Sequence, residues 1–197
     1  IDISSFIFRA FYAIRPLSTK TGEPVNAVYG VATMIQRLVD EARPEFLAVA
    51  YDSKEPSFRK ERYAEYKANR SSPPEDLLPQ FDRIEQLIRA MQIHSFRKSG
   101  VEADDLIATL SKRWCELSPM HKVVIVSGDK DLMQLIKPGI VMLDTMKNKS
   151  IGRDEVLEKF GVEPACVVDV QSLAGDSVDN VPGVPGIGVK TAAELIK

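Results

Sequence analysis

Cysteine, histidine and tryptophan are scarce in this chain, and long hydrophobic runs are missing. Its 197 residues include 2 cysteines, 2 histidines and 1 tryptophan. Cys115 and Cys166 lie far apart, which excludes a disulfide framework and fits a reducing, cytoplasmic setting. His94 and His121 are equally isolated, so a zinc site built on Cys and His is not expected. No apolar run approaches membrane-spanning length and no signal peptide is visible, so no membrane partner is expected. A dominant charge is lacking too, since the formal net charge is −2. That sum hides more than it shows, because an acidic metal site and a basic surface cancel in it. The chain starts at Ile1 without methionine and stops at Lys197 inside a helical pattern, so both ends read as cuts from a longer protein.

What is present is an ordinary globular composition, 44% apolar and 27% charged, at a length that allows one good core and a small second unit. Apolar strand-like runs alternate with amphipathic helices. Residues 1–3 read as the tail of a buried strand, 45–51 (EFLAVAY) and 123–126 (VVIV) as buried strands, and 93–96 and 140–143 as shorter ones. Helical patterns cover 25–41, 77–91, 104–117, 132–136, 153–160, 164–173 and 189–197. This order predicts an α/β fold with a mainly parallel central sheet flanked by helices. Ligands of such sheets gather beyond the carboxyl ends of the strands.

Acidic residues mark those ends. Seven come in three tight groups: Glu102, Asp104 and Asp105; Asp129 and Asp131; Asp176 and Asp179. Asp2 and Asp52 each follow an apolar stretch. Each group has an ordinary explanation: acids cap helix starts, form turns, or sit in solvated loops. Their joint placement favours one shared site, where carboxylates tolerate each other because divalent cations lie between them. Two such ions are a standard device for phosphodiester hydrolysis.

Two further segments point the same way. Lys54, Arg59, Lys60, Arg62, Lys67 and Arg70 follow Asp52, interleaved with Tyr63 and Tyr66. Arg and Lys suit phosphate oxygens, and Tyr offers a face for stacking a base. Near the end, the run Val181-Pro182-Gly183-Val184-Pro185-Gly186-Ile187-Gly188-Val189-Lys190-Thr191 leads into a helix. Gly186 and Gly188 allow close approach of a phosphate, with Lys190 and the helix start adding favourable charge. This is a device that grips a DNA backbone without reading its sequence.

These motifs, together with GVEADD, SGDKD, LAGDSVDN and the stretches around Gly22, Tyr51 and Tyr66, resemble the 5′-nuclease domains of bacterial DNA polymerase I. Flap endonucleases and phage 5′-nucleases belong to the same superfamily. The resemblance covers nearly the whole chain. It departs at Ile3, where the family usually has Gly. It implies a PIN-like nuclease core over 1–147 with a basic helical arch at about 53–74, and a truncated helix–three-turn–helix DNA-binding unit over 148–197. It also implies a divalent-metal-dependent 5′-3′ exonuclease or flap endonuclease, acting on DNA with a 5′ flap, nick or overhang, RNA primer–DNA included. One metal group would draw on Asp2, Asp52, Glu102, Asp104 and Asp105, and the other on Asp129, Asp131, Asp176 and Asp179. Two ions, or three, of Mg²⁺ or Mn²⁺ are expected, with a monovalent cation such as K⁺ at the helix–three-turn–helix. Arg9, Lys67 and Arg70 are the expected catalytic residues, as positive charges at the scissile phosphate. Tyr66, Lys67, Arg70, Arg59, Gly186, Gly188, Lys190 and Thr191 are the expected DNA contacts. A monomer is expected, and fusion to a polymerase domain in a longer chain is left open. Two rivals stay open: a non-catalytic DNA-structure-binding protein of the same fold, and a metal-dependent RNase.

Overall fold

The alternation of strands and helices is realised in a computed structural model that describes all of residues 1–197. In chain order the elements are α1 (Ile3–Ala13), α2 (Asn26–Ala42), β1 (Ala48–Ala50), α3 (Phe58–Arg62), α4 (Leu78–Ala90), β2 (His94–Phe96), α5 (Ala103–Leu117), β3 (Val123–Val126), β4 (Ile140–Asp144), β5 (Lys149–Ile151), α6 (Arg153–Phe160), α7 (Val167–Ala174) and α8 (Val189–Ile196). Short 3₁₀ turns precede α4 and α7, and another, Lys130–Leu135, follows β3. No helix is long and apolar enough to cross a membrane. The chain forms two compact units, Ile1–Asp52 with Ser71–Lys98, and Ser53–Arg70 with Ser99–Lys197.

In the first unit, β1 and β2 pair in parallel with Ala48 opposite His94. Helices α1, α2 and α4 supply the core through Ile3, Phe6, Ile7, Val31, Ile35, Ile84 and Ile88, all buried. Their three- and four-residue spacing puts an apolar stripe on each helix. Residues 1–3 do not form a strand. Asp2 makes a single parallel bridge to Ala50, and Ile3 already begins α1. Ile3 is fully buried, so the side chain that departs from the family pattern serves as core.

One buried polar residue in this unit escapes any hydrophobic pattern. Gln80 has 0% exposure. Its Oε1 accepts from the Ala27 and Val28 amides at 2.8 and 3.3 Å, and its Nε2 donates to Asn26 Oδ1 and the Asp76 carbonyl at 3.0 and 2.9 Å. The start of α2 has no side-chain cap of its own at Val25, so Gln80 caps it from another helix. Gln80→Leu leaves buried amides unpaired and is expected to cost about 2–4 kcal/mol. Urea unfolding at neutral pH checks this; an unchanged midpoint would refute the capping role.

In the second unit, β3 and β4 are parallel and β5 is antiparallel to β4. The parallel pairing expected from the sequence thus holds, but hydrogen bonding divides it between two sheets of two and three strands. β5 was not expected. Two of its three residues, Lys149 and Ser150, are polar and exposed, and one apolar residue, Ile151, is too short a pattern to announce it. The boundary expected at 147 runs through the turn between β4 and β5. The arch expected at 53–74 is helical only over Phe58–Arg62, and the prolines and turns that follow leave most of it irregular.

Candidate functional site

Burial and charge meet most sharply around Glu102, the N-cap residue of α5. The Glu102 amide donates to Asp105 at 3.3 Å, closing the first turn of that helix. The Glu102 carboxylate accepts from the hydroxyls of Ser57 and Tyr66 at 2.8 and 2.9 Å and from Lys67 Nζ at 3.0 Å. Arg59 forks onto both oxygens of Asp105 at 2.7 and 2.8 Å. Burial alone would push Glu102 up, but Lys67, Ser57 and Tyr66 outweigh it and hold the carboxyl below its ordinary value. The Arg59 hydrogen bonds do the same for Asp105, against burial.

Asp179 joins this group from far along the chain. It accepts from Tyr66 Oη at 3.1 Å and from Arg70 at 2.6 Å, with Lys67 Nζ 3.6 Å away. The arm and the Asp179 loop are fastened along their backbones as well. Lys67 N–H donates to the Asp179 carbonyl at 2.9 Å, Asn69 to the Ser177 carbonyl at 3.0 Å and Asn180 to the Glu65 carbonyl at 2.7 Å. Lys67 sits at φ +55°, a left-handed conformation that costs a non-glycine residue about 1–3 kcal/mol and persists where the surroundings fix it. Tyr66 is only 8% exposed, with its hydroxyl strung between two acids. The expectation that its ring stacks on a base is therefore corrected: the ring is core and the hydroxyl is a strut. Burial and the adjoining carboxylates push that hydroxyl well above its ordinary range.

A second group forms around Lys130. Asp129 accepts from the Asp131 amide at 2.9 Å, Asp176 accepts from Lys130 Nζ at 2.9 Å and from the Val178 amide at 2.8 Å, and Asp131 accepts from Gln171 Nε2 at 2.5 Å. Asp131 is held above its ordinary value by burial and then by Asp129, despite Gln171. Asp176 lies below its own: burial raises it, but Lys130 and the Val178 amide prevail. The resemblance groups Asp179 with Asp129, Asp131 and Asp176; its hydrogen bonds here run to Tyr66 and Arg70, and Tyr66 also bonds Glu102.

In the first unit, Asp2 caps α1 through the Ser5 amide at 3.4 Å, and Asp52 accepts from Ser4 Oγ at 2.8 Å. Asp2 is buried, on its single bridge to Ala50, and Asp52 is exposed two residues past the end of β1. Arg9 is half-buried on α1. Asp104 is half-buried in the first turn of α5.

The glycine run divides by role. Gly186 has φ +79°, and Gly188 is an exposed residue preceding α8; neither has anything within 4 Å of a would-be Cβ. Lys190 and Thr191 lie exposed in the first turn of α8. Gly183, in contrast, presses backbone against backbone on Ala174 and Gly175, which closes the loop carrying Asp176 and Asp179.

No three carboxylates, imidazoles or thiols close on one point as a ready-made cage. Divalent ions are not the only groups that make such acids tolerable, because Arg59, Lys67, Arg70 and Lys130 supply counter-charge from the chain itself. The donors still suit a hard divalent ion. They are all oxygen, and Asp129, Asp131 and Asp176 outnumber the ammoniums that face them, Lys130 in contact and Lys159 at longer range, so negative charge is in excess there. Ser57, Gln171 and the zippering by Asn69 and Asn180 were not read from the sequence. All act across long sequence separations, for which composition holds no signal.

Residues 1–161 match the model of a family described as 5′-3′ exonuclease, N-terminal resolvase-like domain, and residues 162–197 that of a 5′-3′ exonuclease C-terminal SAM fold. A DNA polymerase I of Rhizobium leguminosarum is 49% identical over 205 residues, covering 100% of this chain and 20% of that protein. A 5′-3′ exonuclease of Aquifex aeolicus is 39% identical over 197 residues, covering 100% of this chain and 68% of that protein. Among solved structures, a bacteriophage T5 flap endonuclease in a pseudo-enzyme–product complex with DNA and metal ions superposes with TM-score 0.79 at 24% identity, over 99% of this chain and 72% of that one. At that identity the likeness speaks to fold. The chain spans about a fifth of the length of the polymerase relatives it matches.

Proposed function

Because this chain belongs to the 5′-3′ exonuclease family, we propose that it is a divalent-metal-dependent nuclease unit that hydrolyses phosphodiester bonds near the 5′ end of flapped, nicked or overhanging DNA, RNA primers included. One observation carries this reading: Arg59, Lys67 and Arg70 meet the oxygen-only acids Glu102, Asp105 and Asp179 at hydrogen-bonding distance. Phosphate-binding cations and metal-binding oxygens thereby share one place, as hydrolysis of a polyanion requires.

Glu102, Asp104, Asp105 and Asp179 would hold one Mg²⁺ or Mn²⁺ and Asp129, Asp131 and Asp176 another; the sequence resemblance adds Asp2 and Asp52 to the set. Such ions would supply acidification of water at neutral pH and charge to offset that of the leaving oxygen. The chain's own groups do the rest. Lys67 and Arg70 offer charge to the scissile phosphate, as the resemblance also implies for Arg9. Ser57 and Tyr66 orient Glu102, each donating its hydroxyl to one of the two carboxylate oxygens. The first turn of α8 presents backbone amides, Lys190 and Thr191 to the duplex backbone, with Gly186 and Gly188 leaving room for it. A monovalent cation such as K⁺ at that turn, action as a monomer and linkage to a polymerase domain extend the proposal to the longer protein.

A 5′-flap duplex labelled at its flap provides the test. We expect release of the flap with Mg²⁺ and none with EDTA, and poor turnover of single-stranded RNA or a small phosphoester. Binding without cleavage at any metal concentration would favour the non-catalytic reading instead. Lys67→Ala should lower the cleavage rate about a hundredfold while changing duplex affinity little. An equal loss in both would remove Lys67 from the chemistry.

A further inference from the structure

Asp131 accepts its side-chain hydrogen bond from a neutral amide, while its neighbour Asp176 accepts one from the Lys130 ammonium. Gln171, in the third turn from the start of the 3₁₀–α7 segment, donates through Nε2 to Asp131 Oδ1 at 2.5 Å. The same residue's carbonyl accepts the Gly175 amide at 2.7 Å, which ends α7 and turns the chain into Asp176. Gln171 therefore touches both halves of the Lys130 group: its side chain fixes the Asp131 carboxylate, and its backbone launches the loop that carries Asp176.

Resting on the metal-dependent reading above, we infer that Gln171 is a positioning residue for the divalent ion held by Asp129, Asp131 and Asp176, orienting Asp131 without adding charge that would compete with that ion. The chemistry explains the choice of an amide. A side chain without a donor would let the Asp131 carboxylate rotate and leave it against Asp129 and Asp176 with no hydrogen bond on that oxygen. An ammonium would hold Asp131 but add a further positive charge to those of Lys130 and Lys159, and a divalent ion would have to displace it. A neutral donor fixes direction and leaves the negative excess intact. Groups that orient a metal-ligating carboxylate typically change metal affinity about 10–100-fold when removed. Gln171 is half-buried, so a side chain of similar length is accommodated there.

The probe is Mn²⁺ alone, titrated into the whole chain and followed by the loss of free-ion paramagnetic resonance, with metal-free melting measured alongside. Wild type is expected to bind Mn²⁺. Gln171→Met should bind it about tenfold more weakly and melt slightly lower than wild type in EDTA, because the Asp131 carboxylate loses its donor. Gln171→Lys should also bind Mn²⁺ more weakly, yet melt higher than wild type in EDTA, because it neutralises part of the cluster. A purely structural role would move affinity and melting in the same direction in both variants, and that result would overturn the inference. So would equal Mn²⁺ affinity in Gln171→Met and wild type. Failure of wild type to bind Mn²⁺ at all would instead bring down the metal-dependent reading itself, and this inference with it.

Discussion

Asp131→Asn will melt at a higher temperature than wild type in EDTA and will lose magnesium-dependent flap cleavage by about a hundredfold or more. The two effects have one cause. Asp131 is pushed above its ordinary 3.8 by burial and by the Asp129 charge. The folded chain thus keeps a proton on Asp131 to higher pH than the unfolded chain does. Stability from this group is present below the ordinary value and is lost as pH rises through the folded one. At neutral pH the ionised side chain is a liability to the metal-free fold. Asparagine removes the charge, keeps an oxygen to accept from Gln171, and adds a donor that faces acids. Glu102, Asp105 and Asp176 behave with the opposite sign. They lie below their ordinary values, so their contribution is present above those values and is lost as pH falls through the lowered ones. Thermal melts between pH 4 and 8 separate the cases: the advantage of Asp131→Asn should grow with pH. Each kcal/mol moves the midpoint of a chain this size by about 2–4 °C. A variant that melts lower than wild type at neutral pH in EDTA would contradict the repulsion argued for this cluster.

The same contrast shows what the sequence could reveal. β3 was legible to the residue, because VVIV between polar neighbours is a buried strand in any context. The long helices were legible from periodicity, with ends shifted by a residue or two. The acids of the second unit were legible as candidates, since their residue types and positions after strands or at helix starts are local facts. Their partners were not. Tyr66 lies 36 residues from Glu102 and 113 from Asp179, and nothing nearby distinguishes a stacking ring from a buried strut. Asp179 was read with Asp176 because they are three apart, yet the turn between them sends the two carboxylates to different cations. Gln80 and Gln171 share this property: each is an unremarked polar residue in a helical pattern, defined by an acceptor or donor brought to it by the fold. Local chemistry identifies which residues can act, and tertiary hydrogen bonds decide with whom.

Gly183→Ala tests the loop on which that partition depends. A Cβ on Gly183 would lie 2.3 Å from the Ala174 carbonyl carbon, 2.4 Å from its oxygen and 2.5 Å from the Gly175 amide nitrogen. All three are backbone atoms, so no side chain can swing aside. Gly175 faces the same contact from the other side, with φ +72° as well. Around this crossing, Asp176 and Val181 exchange two backbone hydrogen bonds at 2.8 and 2.7 Å, and the Val184 amide donates to the Leu173 carbonyl at 2.8 Å. Forcing the strands of the loop apart must strain or break these bonds, and with them the placement of Asp176 and Asp179. Overpacking of this kind costs about 3 kcal/mol, which for a chain this size is a fall of about 6–12 °C in melting temperature. Gly188→Ala is the matched control. Its backbone is extended, at φ −93° and ψ 176°, and open space surrounds it, so it should cost less than about 1 kcal/mol. Mn²⁺ affinity should fall in Gly183→Ala at temperatures where it remains folded and stay near wild type in Gly188→Ala. Equal melting temperatures for the two variants would mean that the chain segments at Gly175 and Gly183 do not touch as described, and the geometry assigned to Asp176 and Asp179 would lose its support.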